Sequence, residues 1–364
     1  MAPELLLFFG AGASKPLGIP TNRDLYQEFI ASPSWDSLRN RDQFPALFDD
    51  IIKSCGIEPL DIEAVMSVLS ALAAKDPQDA LLRGGKPGAL FSLAKQSSGL
   101  FGPGTQKHAQ EFLDTIKAFV RERCQSYKED SRRSNYDPIM DSFIGPHERW
   151  EIGRGDSRTQ AYIAPFGGPG RRRVPSFSGF TTNYDTAFED YLNDLEIQCE
   201  SGFEKQGNRF CLSPSVIHGT YDLSLFKLHG SVDYIKHKDG KIVHIPFYQP
   251  GIKAADLKEV LIYPTQEKEL FQFPFIDFFY EFVRALRQTR LWVFFGFSFS
   301  DIPILRLVLT EATPGKKVLI VSPDASKICA NELASLGERT NLNPVEASIG
   351  VLNVKDKIID AVTS

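Results

Sequence analysis

The sequence predicts an α/β fold, a doubly wound parallel sheet with a helical insertion, and three observations support this class. Several short runs are almost entirely apolar, as in strands buried on both faces of a parallel sheet; they are Leu5–Phe9, Leu291–Phe295 and Lys317–Val321. Each run ends in small or polar residues, and a stretch with helical spacing of apolar residues follows it. Between residues 31 and 174, in contrast, helical spacing predominates and β-branched runs are few.

Composition limits the classes of function. The 364 residues are 42% hydrophobic and 24% charged, which is enough apolar material for a large core. The formal net charge of −5 indicates neither nucleic acid nor an anionic membrane as a partner. The apolar start is too short to span a membrane and has no basic flank, so we expect a cytoplasmic protein. The five cysteines include no C-x-x-C pair, which argues against a disulfide framework and a structural zinc.

The first predicted strand runs into Gly10-Ala11-Gly12-Ala13-Ser14, and a helix is predicted from about Asn22. Glycines at such a place let the backbone approach a pyrophosphate and direct N–H groups at its oxygens. The following helix end adds positive potential. Short glycine turns also occur without a ligand, so this loop alone leaves dinucleotide binding open.

The segment from about 131 to 173 is rich in glycine, proline, arginine and serine, and it contains the run Arg171-Arg172-Arg173. This composition predicts a long mobile loop. The arginines could meet phosphate or a partner protein, and a solvated loop explains them as well. We therefore predict a sheet domain formed by residues 1–30 and 175–364, and a helical insertion over 31–174.

The cluster Thr181-Thr182-Asn183-Tyr184-Asp185 follows a short aromatic run and precedes a predicted helix. It offers an amide, hydroxyls and a carboxylate near a helix N-terminus, a group that can hold a sugar or a phosphate. Two simpler interpretations stay open. Asp185 could cap the helix, and Asn183 could form an Asx-turn.

Three further strand exits carry chemistry-bearing groups. His229 follows the predicted strand at 225–228 and is placed to face a cleft, although a loop histidine without a catalytic role is the alternative. Gly296–Asp301 and Ser322–Asp324 follow the next two strands. With the two loops above, five strand exits would line one crevice, the usual position of a dinucleotide in a doubly wound sheet.

The ordered motifs GAGAS, GIPT, TTNYD, LHGS, GFSFSD and VSPD resemble those of the SIR2-like (sirtuin-type) superfamily, and most closely its bacterial antiphage-defence branch. The resemblance covers about residues 4–25 and 175–350, and it implies a Rossmann-like domain with NAD+ as the substrate. It implies a catalytic asparagine at Asn183, a catalytic histidine at His229 and support of that site by Asp185. The implied NAD+ contacts are Gly10, Ala11, Gly12, Ser14, Thr21, Thr181, Gly296, Ser298 and Ser322.

Two departures from the protein deacylases of that superfamily bear on the reaction. The GIP segment continues with Thr21-Asn22-Arg23-Asp24 instead of Asp-Phe-Arg, and a four-cysteine zinc module is missing. We therefore expect an NAD+ glycohydrolase that needs no metal and releases nicotinamide and ADP-ribose, as the effector of an antiphage system that depletes NAD+. The alternatives are a non-catalytic scaffold that binds NAD+ or ADP-ribose, and a deacylase or ADP-ribosyltransferase.

An enzyme that exhausts cellular NAD+ has to be switched. The resemblance implies control by homo-oligomerisation or by an activating partner, such as a helicase-like ATPase, an Argonaute or a phage component.

Overall fold

The computed structural model describes residues 5–39, 62–73, 103–144, 151–152, 161–162, 177–195, 197, 199, 201–206, 209–212, 223–236, 242–244, 258–261, 274–349 and 354–363. By internal contacts the chain divides into two units. The first unit comprises Met1–Ile19, Tyr127–Val260 and Phe273–Ser364, and the second comprises Pro20–Ser126 and Leu261–Gln272.

The strands are numbered along the chain. They are β1 (Leu5–Phe9), β2 (Glu151–Ile152), β3 (Ala161–Tyr162), β4 (Phe177–Thr181), β5 (Phe203–Gln206), β6 (Arg209–Leu212), β7 (Leu223–Lys227), β8 (Gly230–Lys236), β9 (Ile242–His244), β10 (Lys258–Leu261), β11 (Leu291–Phe295), β12 (Lys317–Ser322) and β13 (Asn341–Glu346).

The α-helices are numbered in the same way. They are α1 (Asn22–Ile30), α2 (Pro33–Arg39), α3 (Ile62–Ala73), α4 (Pro103–Gln125), α5 (Arg132–Ile144), α6 (Ala187–Asp194), α7 (Phe275–Gln288), α8 (Ile302–Glu311), α9 (Ala325–Asn331), α10 (Ala334–Gly337) and α11 (Val354–Thr363).

The first unit is built on a six-stranded sheet with the order β13-β12-β11-β1-β4-β7. Every neighbouring pair in it is parallel. Numbered within this sheet and read from β7, the order is 3-2-1-4-5-6, the order of a doubly wound dinucleotide-binding sheet. The predicted fold class, a Rossmann-like parallel sheet, is confirmed.

Helices cover both faces of this sheet, as the neighbours of β1 show. The ring of Phe8 packs against Phe282 of α7, with ring centroids 5.5 Å apart. The ring of Phe9 points the other way and packs against Tyr136 of α5 and Phe188 of α6, at 6.4 and 4.4 Å. Because successive side chains of a strand point to opposite faces, an uninterrupted apolar strand is buried on both sides.

A second, five-stranded sheet has the order β10-β8-β9-β6-β5. The pairs β8–β9, β9–β6 and β6–β5 are antiparallel. It contains a carboxylate–imidazole pair, because Asp233 Oδ2 lies 2.6 Å from His244 Nε2. This sheet was not predicted from the sequence.

The prediction of a mobile loop from about 131 to 173 is wrong for its first part. Residues 132–144 form α5, whose Arg132 lies 2.9 Å from Asp194 in an ion pair. Asp141 of the same helix pairs with Lys355 of α11 at 3.2 Å. These contacts with residues of the sheet domain stabilise the helix, although its sequence is polar and contains a proline. The arginine run at 171–173 lies outside the described residues.

The described part of the second unit is helical, comprising α1, α2, α3 and α4. Its core includes Phe29, Trp35 and Phe112, whose ring centroids lie 5.5–6.1 Å apart. An ion pair of 2.7 Å joins Glu28 to Arg123. This unit includes residues 31–126 of the predicted helical insertion, whereas residues from Tyr127 onward belong to the first unit. The predicted limits at 31 and 174 stay predictions.

Candidate functional site

The five predicted strand exits belong to consecutive strands of the parallel sheet, β12-β11-β1-β4-β7. Because parallel strands end at the same edge, their loops share one rim. The chain order reverses at β1, which lies between β4 and β11. In open α/β sheets this reversal marks the ligand-binding crevice. The rim is therefore the candidate functional site.

The glycine loop after β1 lies directly against the loop after β11. The N–H of Gly10 donates to the Phe295 carbonyl at 2.8 Å, and that of Gly12 donates to the Gly296 carbonyl at 2.9 Å. Gly296 has φ +56, and a Cβ there would lie 2.3 Å from the backbone nitrogen of Ala13. Only glycine allows so close an approach.

These bonds correct one expectation about the glycine loop. We predicted that its N–H groups point at pyrophosphate oxygens. The N–H groups of Gly10 and Gly12 instead donate to the β11 loop, and those of Ala13 and Ser14 donate to Gly10 and Ala11. Glycine is required here because two protein loops meet, a reason that the motif alone does not reveal.

A cavity of about 370 Å³ opens beside this contact. Small-molecule sites typically occupy roughly 300–1,000 Å³. Its lining brings together four predicted contacts, Gly12, Gly296, Ser298 and Ser322. Charged residues also line it, namely Lys15, Asp324, Lys327 and Glu332. The cavity thus offers hydroxyl donors, cations for a phosphate and a carboxylate for a sugar hydroxyl.

Asp324 lines the cavity at the start of α9. It is the N-terminal cap residue of α9, yet its side chain makes no capping hydrogen bond. Its backbone N–H donates to the Ser322 hydroxyl at 3.3 Å, which fixes the strand exit. The exposed carboxylate is one of the groups that line the cavity.

The loop after β4 is tied to the glycine loop by Thr181 and Asn183. The Thr181 hydroxyl donates to the Phe9 carbonyl at 2.9 Å and accepts from the Asn183 N–H at 2.9 Å. The Asn183 amide donates to the Gly10 carbonyl at 3.0 Å and to the Ser14 hydroxyl at 3.2 Å. The side chain therefore bridges two loops through its amide nitrogen. With both amide hydrogens used, its oxygen is the atom that can accept from a ligand.

Asp185 is buried and turned toward protein groups. Its carboxylate accepts from the N–H of Ala187, the first residue of α6, at 3.0 Å, from the position before the N-cap residue Thr186. Burial raises the pKa of this carboxyl. The positive charge of Lys227 and the hydrogen bond from the Ala187 N–H lower the pKa, but burial has the larger effect.

Lys227, at the end of β7, is a buried lysine among acids that the sequence analysis did not single out. Its ammonium lies 2.7 Å from Glu189 and donates to the Asp185 carbonyl. Burial disfavours the charged form of Lys227 and lowers its pKa. The negative charges of Glu189, Asp185 and Asp233 together have a larger effect, so the pKa of Lys227 is raised. The lysine thereby fixes the β4 loop against β7.

His229 lies in the two-residue turn between β7 and β8, and not in an open strand exit. Two backbone hydrogen bonds connect this turn and the start of β8 to the end of β4 and the loop after it. The Leu228 N–H donates to the Thr181 carbonyl at 2.8 Å, and the Val232 N–H donates to the Tyr184 carbonyl at 3.0 Å. The His229 side chain is 2% exposed, and its Nε2 lies 2.9 Å from Asp301 Oδ2.

Three residues of the site had no predicted role, although Asp301 is part of the predicted strand exit Gly296–Asp301. Asp301 closes the GFSFSD loop, and its helix-capping position was the available signal. Asn135 donates to the Ala13 carbonyl at 3.2 Å, and buried Tyr136 shares a hydrogen bond with Ser14. Both belong to α5, and no local pattern links that helix to the glycine loop.

Thr21 belongs to the second unit, where it caps α1 in a reciprocal capping box with Asp24. Its predicted NAD+ contact stays a prediction.

In the described part of the chain, no group of three or more His, Cys, Asp or Glu side chains is placed to hold a metal ion. Over the same residues, no helix combines the length and the apolar character that a membrane crossing requires.

Residues 178–337 match the family model of the SIR2-like domain. That segment contains the β4, β7, β11 and β12 exits, and so includes Asn183, His229 and Asp301. The family match therefore covers four of the five exits of the rim and leaves out the glycine loop after β1.

Solved structures of Sir2 proteins are similar to the whole chain at 12% identity. A Sir2 homologue in complex with NAD has a TM-score of 0.44, with 100% of this chain and 90% of that chain covered. A substituted Sir2 homologue with 2′-O-acetyl-ADP-ribose has a TM-score of 0.43, with 100% and 93% covered. A comparison with curated proteins found no match.

Proposed function

We propose that the protein is an NAD+ glycohydrolase that cleaves NAD+ to nicotinamide and ADP-ribose. One observation carries the proposal. Asn183 and His229 follow neighbouring strands of a 3-2-1-4-5-6 sheet, within the segment that matches the SIR2-like domain. An amide that can accept from a sugar hydroxyl and an imidazole that can take a proton are the two groups that such a cleavage requires.

The cavity supports binding of the ADP part of the substrate. Ser298 and Ser322 would contact phosphate and ribose oxygens, and Lys327 would balance the pyrophosphate charge. Asp324 would accept from ribose hydroxyls, as an acidic residue at a strand end does in dinucleotide sites. The cavity residues thus fit the charge and the hydroxyl pattern of NAD+.

The proposed reaction breaks the bond between nicotinamide N1 and ribose C1′, and the bonding electron pair leaves with nicotinamide. Positive charge then develops on the ribose, and a water oxygen forms the new bond to C1′. The water loses one proton to His229, so NAD+ and water give nicotinamide, ADP-ribose and a proton. Asn183 orients the ribose through its amide oxygen. Orientation and a general base are sufficient because the leaving group is already cationic when bound.

We further propose a role in antiphage defence through NAD+ depletion, supported by the resemblance of the ordered motifs to that branch of the superfamily. Control by homo-oligomerisation or by an activating partner follows from the need to restrain such an activity. Helicase-like ATPases, Argonautes and phage components are the candidates to test as partners.

A non-catalytic module that binds NAD+ or ADP-ribose is the second candidate, and the burial of His229 favours it. A side chain that is 2% exposed has to be reached by substrate before it can take a proton. This candidate predicts NAD+ binding without nicotinamide release.

The test is chromatographic quantification of nicotinamide and ADP-ribose after incubation of the purified chain with NAD+, alone and with candidate partners. We expect release by the wild type and a loss of about 10²–10⁴-fold in His229→Ala, the usual contribution of a general base. Asn183→Ala should also lose turnover.

His108→Ala is the matched control, since it removes a partly exposed histidine of α4 in the second unit. It should release nicotinamide at the wild-type rate. NAD+ that survives every condition while still binding would support the non-catalytic candidate.

A further inference from the structure

His229 and Asp301 form a buried pair between loops that start on distant strands. The two atoms lie 2.9 Å apart, and the side chains are 2% and 6% exposed. His229 follows the edge strand β7, whereas Asp301 follows β11, and β4 and β1 lie between them. At about 4.8 Å per strand, β7 and β11 are about 14 Å apart. The β11 loop must therefore pass over two strand ends to bring Asp301 to the histidine.

The backbone of that loop is strained two residues before Asp301. Phe299 has φ 60, and among the described residues it is the one non-glycine residue with positive φ. Its ring is fully buried against Phe294 and Phe297, with centroids 4.9 and 4.8 Å apart. Such a conformation is unfavourable for a residue with a side chain, and it persists only where packing enforces it. The packing therefore holds the turn that leads to Asp301.

Asp301 uses its two oxygens for different tasks. Oδ1 accepts from the Ile304 N–H at 3.1 Å and caps α8. Oδ2 faces His229. A cap needs one acceptor, which asparagine or serine provides equally well. The second oxygen, buried beside an imidazole, is not needed for the helix, although burying it has a desolvation cost.

We propose that Asp301 is the positioning residue for His229. Its carboxylate holds the imidazole orientation and keeps the ring proton on Nε2, so that Nδ1 carries the lone pair for proton transfer. The contact meets the distance of an ion pair but not the angles of a hydrogen bond. Catalytic contacts often tighten only when substrate binds. This role rests on the proposed function, in which His229 is the base.

Asp301→Asn is the test, because asparagine keeps the α8 cap and replaces only the oxygen that faces the histidine. The new amide would donate to Nε2 and drive the ring proton to Nδ1, the wrong tautomer. An analogous substitution in a Ser-His-Asp triad lowers kcat about 10⁴-fold. We expect a loss of kcat of at least about 10²-fold, with KM for NAD+ changed less than about twofold.

Glu311→Gln is the matched control. It removes the same charge from the other end of the same helix, where Glu311 pairs with Arg287 at 2.7 and 2.9 Å. We expect its kcat to equal that of the wild type. Equal losses of kcat in the two variants would overturn the proposal, because they would indicate a general effect of helix charge.

Nitrogen-15 NMR of labelled histidine rings gives a readout that needs no turnover. We expect the Nε2–H tautomer for wild-type His229, assigned from the signal that His229→Ala loses, and the Nδ1–H tautomer in Asp301→Asn. A wild-type Nδ1–H tautomer would overturn the proposal even if the variant fails to fold. A wild type that shows the expected tautomer but never cleaves NAD+ would instead contradict the proposed function.

Discussion

The two halves of the sheet rim are built in different ways. On the side of β11 and β12, an open cavity is lined by exposed groups such as Ser298, Asp324 and Lys327. On the side of β4 and β7, Asp185, Lys227 and His229 are buried and bonded to protein partners. The first half is suited to binding a polar ligand. In the proposed reaction the second half would hold the reacting groups in one geometry, since preorganised groups need no rearrangement during the reaction.

The difference predicts different costs of substitution. A change in the buried half should cost stability, because a charge or a close loop contact loses its partner. A change in the open half should cost ligand affinity and little stability. Three substitutions test this contrast.

Lys227→Met should have the largest effect on stability. The substitution leaves Glu189 and Asp185 without the cation that compensates them, and breaking a buried pair typically costs about 3–5 kcal/mol. Lys327→Met is the matched control in the open half, where the lysine is exposed, and its cost should stay within about 0.5 kcal/mol. Urea unfolding measures both. Equal costs would remove the contrast between the halves.

Gly296 is the exception in the open half, because it lines the cavity but its backbone packs against the glycine loop. Gly296→Ala should destabilise the protein by about 2–4 kcal/mol, from the left-handed backbone and from the clash with Ala13. Gly315→Ala separates the two causes. Gly315 has φ +87, but a Cβ there meets nothing within 4 Å, so only the backbone strain remains. We expect it to cost about 1–2 kcal/mol less than Gly296→Ala in the same unfolding experiment. Equal destabilisation would mean that the loop contact does not require glycine.

Ser322→Ala should have the smallest effect, and it should appear in binding. Loss of one hydrogen bond to a ribose or phosphate oxygen costs about 1 kcal/mol, which corresponds to about a fivefold weaker Kd for NAD+. Calorimetric titration measures it, with Ser326→Ala on the exposed surface of α9 as the control. An unchanged Kd in Ser322→Ala would place the substrate outside this cavity.

Local sequence patterns predicted the strands and helices that the local pattern of apolar residues determines. β1 and β11 have the predicted bounds, since uninterrupted apolar runs are typical of strands buried on both faces. Parallel packing then brings their exits to one rim. Polar β13 was missed because it is an edge strand, with a burial pattern that includes exposed positions and a proline.

The rest depends on contacts between residues far apart in sequence. Asp301 meets His229 across 72 positions, and Asn183 reaches Gly10 across 173. The glycine motif is typical of a phosphate-binding loop, yet the N–H groups of Gly10 and Gly12 donate to carbonyls of Phe295 and Gly296. Periodicity and motif spacing report local conformation, so they identify the residues of a site better than their partners.

We propose that one half of the rim binds NAD+ and that the other half holds the groups that cleave it. The most direct measurement records NAD+ binding and nicotinamide release on the same samples of wild type and His229→Ala, with any activating partner present. We predict equal Kd values, and release by the wild type alone. Release by His229→Ala at the wild-type rate, or a wild type that neither binds nor cleaves NAD+, would contradict the account.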